Sequence, residues 1–191
     1  IVDRKFDTKV ERTKNRPIAS GKVSVKEGLI LSLFLCAVAL GVLIQFNNLT
    51  IALALASMPL AFTYPYMKRF TYWPQLYLGI TFNYGLLLGW SSIQNNITII
   101  PLVFYFGAIF WTLGYDTIYG FQDIKDDEII GVKSTSIKFK DNPKIFLVIC
   151  YLISIISLIL TGYLMKFSLI FYLFLIFPIL HLFIYQIKNL N

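Results

Sequence analysis

The sequence predicts an all-α, polytopic transmembrane helix bundle, and three observations support this. First, 57% of the 191 residues are hydrophobic and only 14% are charged, which is more apolar than an ordinary soluble domain. Second, the apolar residues form six runs, each close to the roughly 20 residues that span a bilayer. Third, the basic residues are distributed unevenly among the connections between these runs. We expect residues 1–191 to form a single domain embedded in the lipid bilayer.

The predicted membrane spans follow a polar, basic segment, residues 1–27. They lie at about residues 28–46, 50–67, 73–93, 98–119, 144–163 and 167–187. Within the first segment, Pro17 and Gly21 are expected to interrupt any helix. Ser24 and Glu27 then have the spacing of a capping box, which predicts the start of the first membrane helix.

The charge distribution predicts the orientation of the bundle. Sixteen of the seventeen Lys and Arg residues fall on the side of the membrane that carries residues 1–27, and only Lys166 falls on the other side. By the positive-inside rule, the charged side faces the cytoplasm or its topological equivalent. Topology and an anionic ligand therefore explain the net charge of +7, and we expect no nucleic-acid partner.

The residues needed for several other chemistries are scarce. Cys36 and Cys150 both lie in apolar runs and resemble small buried hydrophobic residues, not a disulfide framework or a metal knuckle. His181 is the single histidine, which excludes a His-based zinc site and a Ser-His-Asp triad within this sequence. The chain opens on charged residues without a signal peptide or an initial methionine, so we expect it to be a fragment.

The strongest functional signal lies at residues 115–127. Its carboxylates Asp116, Asp123 and Asp127 are separated by seven and four residues, which on a continuous helix places them on one face. These acids lie at the end of a predicted membrane helix, where an uncompensated carboxylate is costly and indicates a functional site. Such hard oxygen ligands suit Mg²⁺, which commonly binds one or two carboxylates together with substrate phosphates. A solvated acidic cap flanked by lysines is the alternative interpretation.

A second carboxylate pair lies in the N-terminal segment. Asp3 and Asp7 have the same four-residue spacing as Asp123 and Asp127 and lie on the same predicted side of the membrane, so the two pairs can face each other. Nearby Arg and Lys side chains can bind diphosphate oxygens, and Arg is suited to bidentate phosphate contacts. Aromatic side chains in the spans can stabilise an allylic cation. This combination favours metal-assisted chemistry on a lipid diphosphate.

The sequence contains four short motifs: Asp-x-x-x-Asp at residues 3–7, Arg-Thr-x-x-Arg-Pro at 12–17, Tyr-x-x-x-Lys at 64–68 and the second acidic motif with its continuation at 116–135. They resemble the motifs of the UbiA superfamily of intramembrane prenyltransferases, most closely its 4-hydroxybenzoate branch. The 4-hydroxybenzoate branch in particular is indicated by residues 69–75 and 83–90. The resemblance covers nearly the whole chain.

The resemblance implies a bundle of about nine helices, of which this chain would carry helices three to eight without the first two or the last. The implied reaction is Mg²⁺-dependent transfer of a polyprenyl group from polyprenyl diphosphate to the ring carbon ortho to the hydroxyl of 4-hydroxybenzoate, in ubiquinone synthesis. The implied metal ligands are Asp3, Asp7, Asp123 and Asp127. Asp116 is grouped with Asp123 and Asp127 as catalytic, either as a metal ligand or as a group that orients the aromatic substrate. The implied diphosphate contacts are Arg12, Arg16, Lys68, Lys133 and Tyr64, although Arg16 could instead hold its own loop.

Two alternatives remain open from the sequence. A member of the same superfamily with another acceptor, such as haem B, homogentisate, a naphthoate or chlorophyllide, would carry similar Asp motifs, although residues 72–75 and 83–90 favour hydroxybenzoate. A membrane transporter would place its acids within the spans and break helices near the middle of the membrane. The expected location is the bacterial cytoplasmic membrane, with the mitochondrial inner membrane as the alternative.

Overall fold

The computed structural model describes residues 1–190, which form α-helices joined by turns and contain no strand. The α-helices are α1 (Arg4–Asp7), α2 (Val25–Leu43), α3 (Asn48–Thr63), α4 (Met67–Phe70), α5 (Pro74–Asn83), α6 (Gly85–Gln94), α7 (Ile99–Gly120), α8 (Ile124–Ile130), α9 (Thr135–Lys138), α10 (Pro143–Leu164) and α11 (Leu169–Leu180). Short 3₁₀ turns occupy Tyr64–Tyr66 and Phe121–Asp123, and a π-helical segment, His181–Ile187, continues α11.

Within residues 1–190, five helical segments are long and apolar enough to cross a membrane. They are Val25–Leu43, Asn48–Phe70, Ile99–Ile130, Pro143–Leu164 and Leu169–Ile187. The predicted all-α, polytopic membrane bundle is therefore confirmed, and the chain is an integral membrane protein. The remaining predicted span, at residues 73–93 and third in chain order, is instead divided between α5 and α6, which have ten residues each.

The break between α5 and α6 at Tyr84 is stabilised by side-chain hydrogen bonds. The Asn83 amide donates to the Gly79 carbonyl at 2.9 Å, and the Tyr105 hydroxyl donates to the Ile80 carbonyl at 2.7 Å. Both carbonyls lie one turn before the break, where a membrane environment offers no water to bond them. Residues on both sides of the break are mostly apolar, so the hydrophobic pattern alone could not reveal it.

Helix α7 lies at the centre of the fold and packs against α5 on one side and α10 on the other. Small residues allow these helices to approach closely. A Cβ atom at Gly79 would lie 2.8 Å from the Ile109 carbonyl oxygen, and one at Gly114 would overlap the ring of Tyr151. Tyr151 itself is fully buried. Close backbone approach at small residues is the usual way in which helices associate in lipid, where apolar burial gives little driving force.

The predicted capping box begins the first membrane helix. Ser24 Oγ accepts a hydrogen bond from the Glu27 N–H at 3.2 Å, and the Glu27 carboxylate accepts one from the Ser24 N–H at 2.7 Å. Before it, α1 ends at Asp7, and residues 8–23 form turns. Asp3 is the residue before α1, and Arg12 and Arg16 lie in the turns.

Two connections meet at the end of the bundle opposite the basic segment. The Asn47 side chain accepts from the Thr50 N–H at 2.9 Å, capping α3, and donates to the Ser91 carbonyl at 2.8 Å. Thr50 and Ser91 are buried, and their hydroxyls are 2.9 Å apart. This contact joins α3 to α6 through uncharged residues, while the acidic motifs lie at the other end.

Candidate active site

The second acidic motif begins on α7 and continues beyond it. The 3₁₀ turn at residues 121–123 joins α7 to α8, and Gly131 ends α8 with a φ of 73°. This left-handed conformation favours glycine and reverses the chain direction. The reversed chain brings the Lys133 N–H to 2.8 Å from the Lys68 carbonyl oxygen, so the two predicted diphosphate-binding lysines lie on adjacent segments.

A cleft of about 120 Å³ lies between these segments and α7. We call it the acidic cleft; its lining includes the carboxylates Asp116 and Asp127, the lysines Lys68 and Lys133, and the side chains of Tyr64, Gln75 and Ser134. Within residues 1–190, neither the Asp116 nor the Asp127 carboxylate forms a hydrogen bond or ion pair. The cleft therefore offers two open carboxylates beside two cations.

Asp123 does not line the acidic cleft; its carboxylate binds Arg12 instead. Arg12 Nε donates to Asp123 Oδ1 at 3.0 Å, and Arg12 Nη2 lies 2.5 Å from Asp123 Oδ2. Arg12 Nη1 also donates to the Tyr119 hydroxyl at 2.7 Å. Hydrogen bonding to Asp123 raises the pKa of the Arg12 guanidinium above its ordinary value. The N-terminal Arg motif is therefore joined directly to the second acidic motif.

The first acidic motif reaches the cleft through Lys68. Lys68 Nζ lies 2.9 Å from Asp3 Oδ2, and Arg69 Nη2 lies 3.5 Å from Asp3 Oδ1. The Arg69 guanidinium also lies 5.0 Å from the ring centres of Phe6 and Tyr66, a distance at which cation–π attraction operates. Lys68 thus touches a carboxylate of the first motif while its side chain lines the cleft that holds Asp116 and Asp127.

Asp7 has a different partner from Asp3. Arg16 Nη1 lies 3.1 Å from Asp7 Oδ1, so in this structure Arg16 binds within its own segment, while Arg12 bridges to Asp123. The Glu11 N–H donates to Asp126 Oδ2 at 3.1 Å. This second link holds the N-terminal segment against α8.

The donor set of this region fits Mg²⁺. Within residues 1–190, no three His, Cys, Asp or Glu side chains lie close enough together to form a metal site without other ligands. Mg²⁺, however, usually takes one or two carboxylates and completes its shell with water and substrate phosphates. Asp116 and Asp127 provide open carboxylates, and Asp3, Asp7 and Asp123 provide carboxylates that are held by cations.

Buried polar residues position the loop that carries Lys133, and the spacing of charged residues in the sequence does not indicate them. The Thr135 N–H donates to Gln75 Oε1 at 2.9 Å, and the Thr135 and Thr117 hydroxyls are 2.6 Å apart. Ser136 Oγ donates to the Thr117 carbonyl at 2.7 Å. Thr117, Thr135 and Ser136 are fully buried. These side chains are neutral and distant in sequence, so the spacing of charged residues does not indicate them. For Gln75, the one signal in the sequence is its position within segment 69–75, which resembles the family.

A larger, mostly apolar cavity of about 410 Å³ lies along α7 near Tyr115. Tyr115 and Trp111 line it, together with residues of α5, α6, α10 and α11. At one side, the Tyr151 hydroxyl donates to Gln186 Oε1 at 2.7 Å, and Gln186 Nε2 lies 3.2 Å from His181 Nε2. Tyr115 directly precedes Asp116, so α7 contributes consecutive residues to this cavity and to the acidic cleft.

Known proteins resemble this chain in sequence and in fold. The chain matches the UbiA prenyltransferase family over residues 1–191. It is 47% identical over 174 residues to 4-hydroxybenzoate geranyltransferase 2 of Lithospermum erythrorhizon, which covers 91% of this chain and 57% of that protein. It is 51% identical over 143 residues to the mitochondrial 4-hydroxybenzoate polyprenyltransferase of Rattus norvegicus, which covers 74% of this chain and 38% of that protein.

A solved structure shares the fold. The apo structure of a UbiA homolog from Aeropyrum pernix K1 matches with a TM-score of 0.82 and 22% identity, over 96% of this chain and 70% of that chain. The chain spans 57% and 38% of the lengths of the two curated relatives described above. The match over the whole sequence, the identity to these relatives and the shared fold lead to one conclusion: the chain belongs to the UbiA prenyltransferase family.

Proposed function

We propose that the protein transfers a polyprenyl group from polyprenyl diphosphate to the ring carbon ortho to the hydroxyl of 4-hydroxybenzoate, with Mg²⁺ as cofactor. The observation that carries this proposal is the acidic cleft, where open carboxylates and lysines meet at the end of a membrane span. Family membership and the names of the two curated relatives support the acceptor.

The charges of the cleft suit a diphosphate headgroup bound together with a divalent cation. Lys68 and Lys133 can bind phosphate oxygens directly, and Arg12 lies nearby on Asp123. The carboxylates would repel a bare diphosphate, since like charges at short range disfavour binding. A divalent cation held by the carboxylates would remove that repulsion. Asp123 and Asp127 would hold one Mg²⁺, and Asp3 and Asp7 would hold another.

Bound Mg²⁺ would neutralise diphosphate oxygens and stabilise the leaving group. The side chains of the protein have separate tasks. Lys68, Lys133 and Arg12 would stabilise the negative charge that develops on the diphosphate when the allylic carbon–oxygen bond breaks and its electron pair leaves with oxygen. The ring carbon of 4-hydroxybenzoate then attacks the allylic cation. Loss of the ring proton from that carbon restores aromaticity.

The apolar cavity beside Tyr115 would protect this reaction. Tyr115 and Trp111 present aromatic faces, and their rings are 5.5 Å apart, so they can attract an allylic cation by cation–π interaction. A mostly apolar lining also excludes water, which would otherwise capture the cation. Asp116, adjacent to Tyr115, would either bind metal or orient the aromatic acid.

Two membranes are candidates for the location of the protein. Its placement in the bacterial cytoplasmic membrane is part of the proposal, and the mitochondrial inner membrane is the alternative, which the name of the Rattus norvegicus relative favours. In either membrane, the acidic cleft would face the side on which the Lys and Arg residues of the chain are concentrated. That side would supply both Mg²⁺ and the soluble aromatic acid.

Product analysis tests the proposed reaction. Membranes that contain the full-length gene product would receive labelled polyprenyl diphosphates of several lengths and a panel of acceptors, with and without Mg²⁺, followed by mass spectrometry. We expect a 3-polyprenyl-4-hydroxybenzoate product that forms only when Mg²⁺ is present. Transfer to homogentisate, a naphthoate, haem B or chlorophyllide but not to 4-hydroxybenzoate would support the alternative acceptor, and no transfer to any acceptor would contradict the proposal.

A further inference from the structure

Gln75 is a buried polar residue in the wall of the acidic cleft. Its exposed fraction is 7%, and it lies in the first turn of α5, directly after Pro74. Asp116 and Asp127 line the same cleft. A polar side chain that is buried at this depth normally has a partner for each of its strong hydrogen-bonding groups.

The orientation of the Gln75 amide follows from its one hydrogen bond. The Thr135 N–H can only donate, and the Gln75 oxygen accepts from it at 2.9 Å. The amide nitrogen must therefore occupy the other position, which removes the usual ambiguity between the oxygen and nitrogen of an amide. Thr135 is fully buried, and its hydroxyl is held by Thr117. The Gln75 amide is thus held in one orientation.

The Gln75 Nε2 atom has no hydrogen-bond partner within residues 1–190. Among those residues, Arg69 Nε is the only fully buried side-chain nitrogen or oxygen that lacks a hydrogen-bond partner. Nε2 of Gln75 therefore still reaches open space, and the open space that Gln75 lines is the acidic cleft. The nitrogen also lies 3.5 Å from the position that a Cβ atom would take at Gly120, one helical turn after Asp116. An amide donor is therefore available next to the carboxylates and lysines.

We propose that Gln75 is a substrate-binding residue, whose Nε2–H donates a hydrogen bond to an anionic oxygen of the ligand in the acidic cleft. The inference rests on the proposed function. The anionic oxygen can belong to the diphosphate or to the carboxylate of the aromatic acid. An uncharged amide favours neither anion on charge grounds, so the kinetic constants of the two substrates decide between them.

Two variants separate binding from a purely structural role. Gln75→Glu keeps an oxygen acceptor for the Thr135 N–H but removes the amide donor, and Gln75→Met removes both groups with little change in size. Gln122→Glu is the control for the same chemical change, because Gln122 is exposed, lies in the 3₁₀ turn after α7 and does not line the cleft. All three variants are made in the full-length protein. Thermal unfolding in detergent reports whether each one folds.

The measurements are kcat and KM for each substrate, and equilibrium binding of labelled inorganic pyrophosphate with Mg²⁺ present. We expect Gln75→Glu and Gln75→Met to lower kcat/KM by roughly ten- to a hundredfold, the loss expected for one hydrogen bond to a charged group. A rise in the KM for polyprenyl diphosphate with weaker pyrophosphate binding assigns the bond to the diphosphate. A rise confined to the KM for 4-hydroxybenzoate assigns it to the carboxylate. Gln122→Glu should match the wild type.

Three results would overturn the inference. One is a kcat/KM within about twofold of wild type in Gln75→Met or in a folded Gln75→Glu variant, well below the loss of a charged hydrogen bond. Another is an equal loss in Gln122→Glu, which would indicate a general charge effect. The third is a fall in unfolding temperature of Gln75→Met with unchanged kinetic constants, which would show a structural role alone. A wild-type protein without prenyl transfer would instead contradict the proposed function, so the two failures are distinguishable.

Discussion

Arg12 and Asp123 form a two-point ion pair between segments separated by more than half of the chain. Arg12 Nε donates to Asp123 Oδ1 at 3.0 Å, and Nη2 lies 2.5 Å from Oδ2. The Asp123 side chain is only 13% exposed, so the pair is better shielded from solvent than a typical surface ion pair. This contact places the Arg motif of the N-terminal segment on the second acidic motif.

The first prediction concerns Asp123. Asp123→Asn in the full-length protein should lower Mg²⁺-dependent prenyl transfer by roughly 100-fold or more, because the charge that would bind metal and hold Arg12 is lost. Membrane insertion should be unchanged, since Asp123 lies at the end of the span. Asp141→Asn is the control, because Asp141 is exposed in the turn between α9 and α10. Turnover close to wild type in Asp123→Asn would remove the second motif from the mechanism.

The second prediction concerns the buried contact that anchors the loop after α8. Thr117 Oγ1 donates to the Leu113 carbonyl at 2.6 Å, so the Thr135 hydroxyl donates to Thr117 Oγ1. Thr117→Val should destabilise the protein by about 1–3 kcal/mol, because the buried Thr135 hydroxyl would lose its acceptor. Thermal or denaturant unfolding in detergent measures the change. Thr98→Val, at an exposed position without a side-chain cap bond, should have little effect; equal losses in both variants would contradict this role.

The third prediction concerns helix packing at Gly114. A Cβ atom there would overlap the ring of Tyr151, which is fully buried and cannot move aside freely. Gly114→Ala should therefore reduce the free energy of unfolding by about 1–3 kcal/mol through overpacking. At Gly89, a Cβ atom would meet nothing within 4 Å, so Gly89→Ala should be neutral or slightly stabilising. The same unfolding assay compares the two variants, and an unaffected Gly114→Ala variant would show that α7 and α10 pack less closely than the structure indicates.

Several features of the fold could be predicted because they depend on local pattern. Long apolar runs predicted the membrane helices, and Ser24 with Glu27 predicted the start of α2. The division at Tyr84 could not be predicted, because the stabilising Tyr105 hydroxyl comes from another helix. The position of residues 8–23 could not be predicted either, because it depends on long-range hydrogen bonds to α8 and to the turn before α8.

The candidate site, like the fold, could be predicted only in part from the sequence. The spacing of the carboxylates selected Asp116 and Asp127, and the resemblance to the family motifs selected Lys68 and Lys133. The structure brings these four residues to one cleft; their catalytic roles remain predictions. Neither the partner of each carboxylate nor the role of Gln75 could be read from spacing. Those depend on how the reversed chain after Gly131 packs against α5 and α7.

The assignment of the acidic cleft as the active site is tested most directly by comparing Asp127→Asn with Asp126→Asn in the full-length protein. Both substitutions remove one negative charge at adjacent positions, but Asp127 lines the cleft, while Asp126 accepts a hydrogen bond from Glu11 outside its lining. Prenyl transfer to 4-hydroxybenzoate should fall by roughly 100-fold in Asp127→Asn and stay near wild type in Asp126→Asn. Near-normal transfer in Asp127→Asn, or equal losses in both variants, would contradict the assignment of this cleft as the active site.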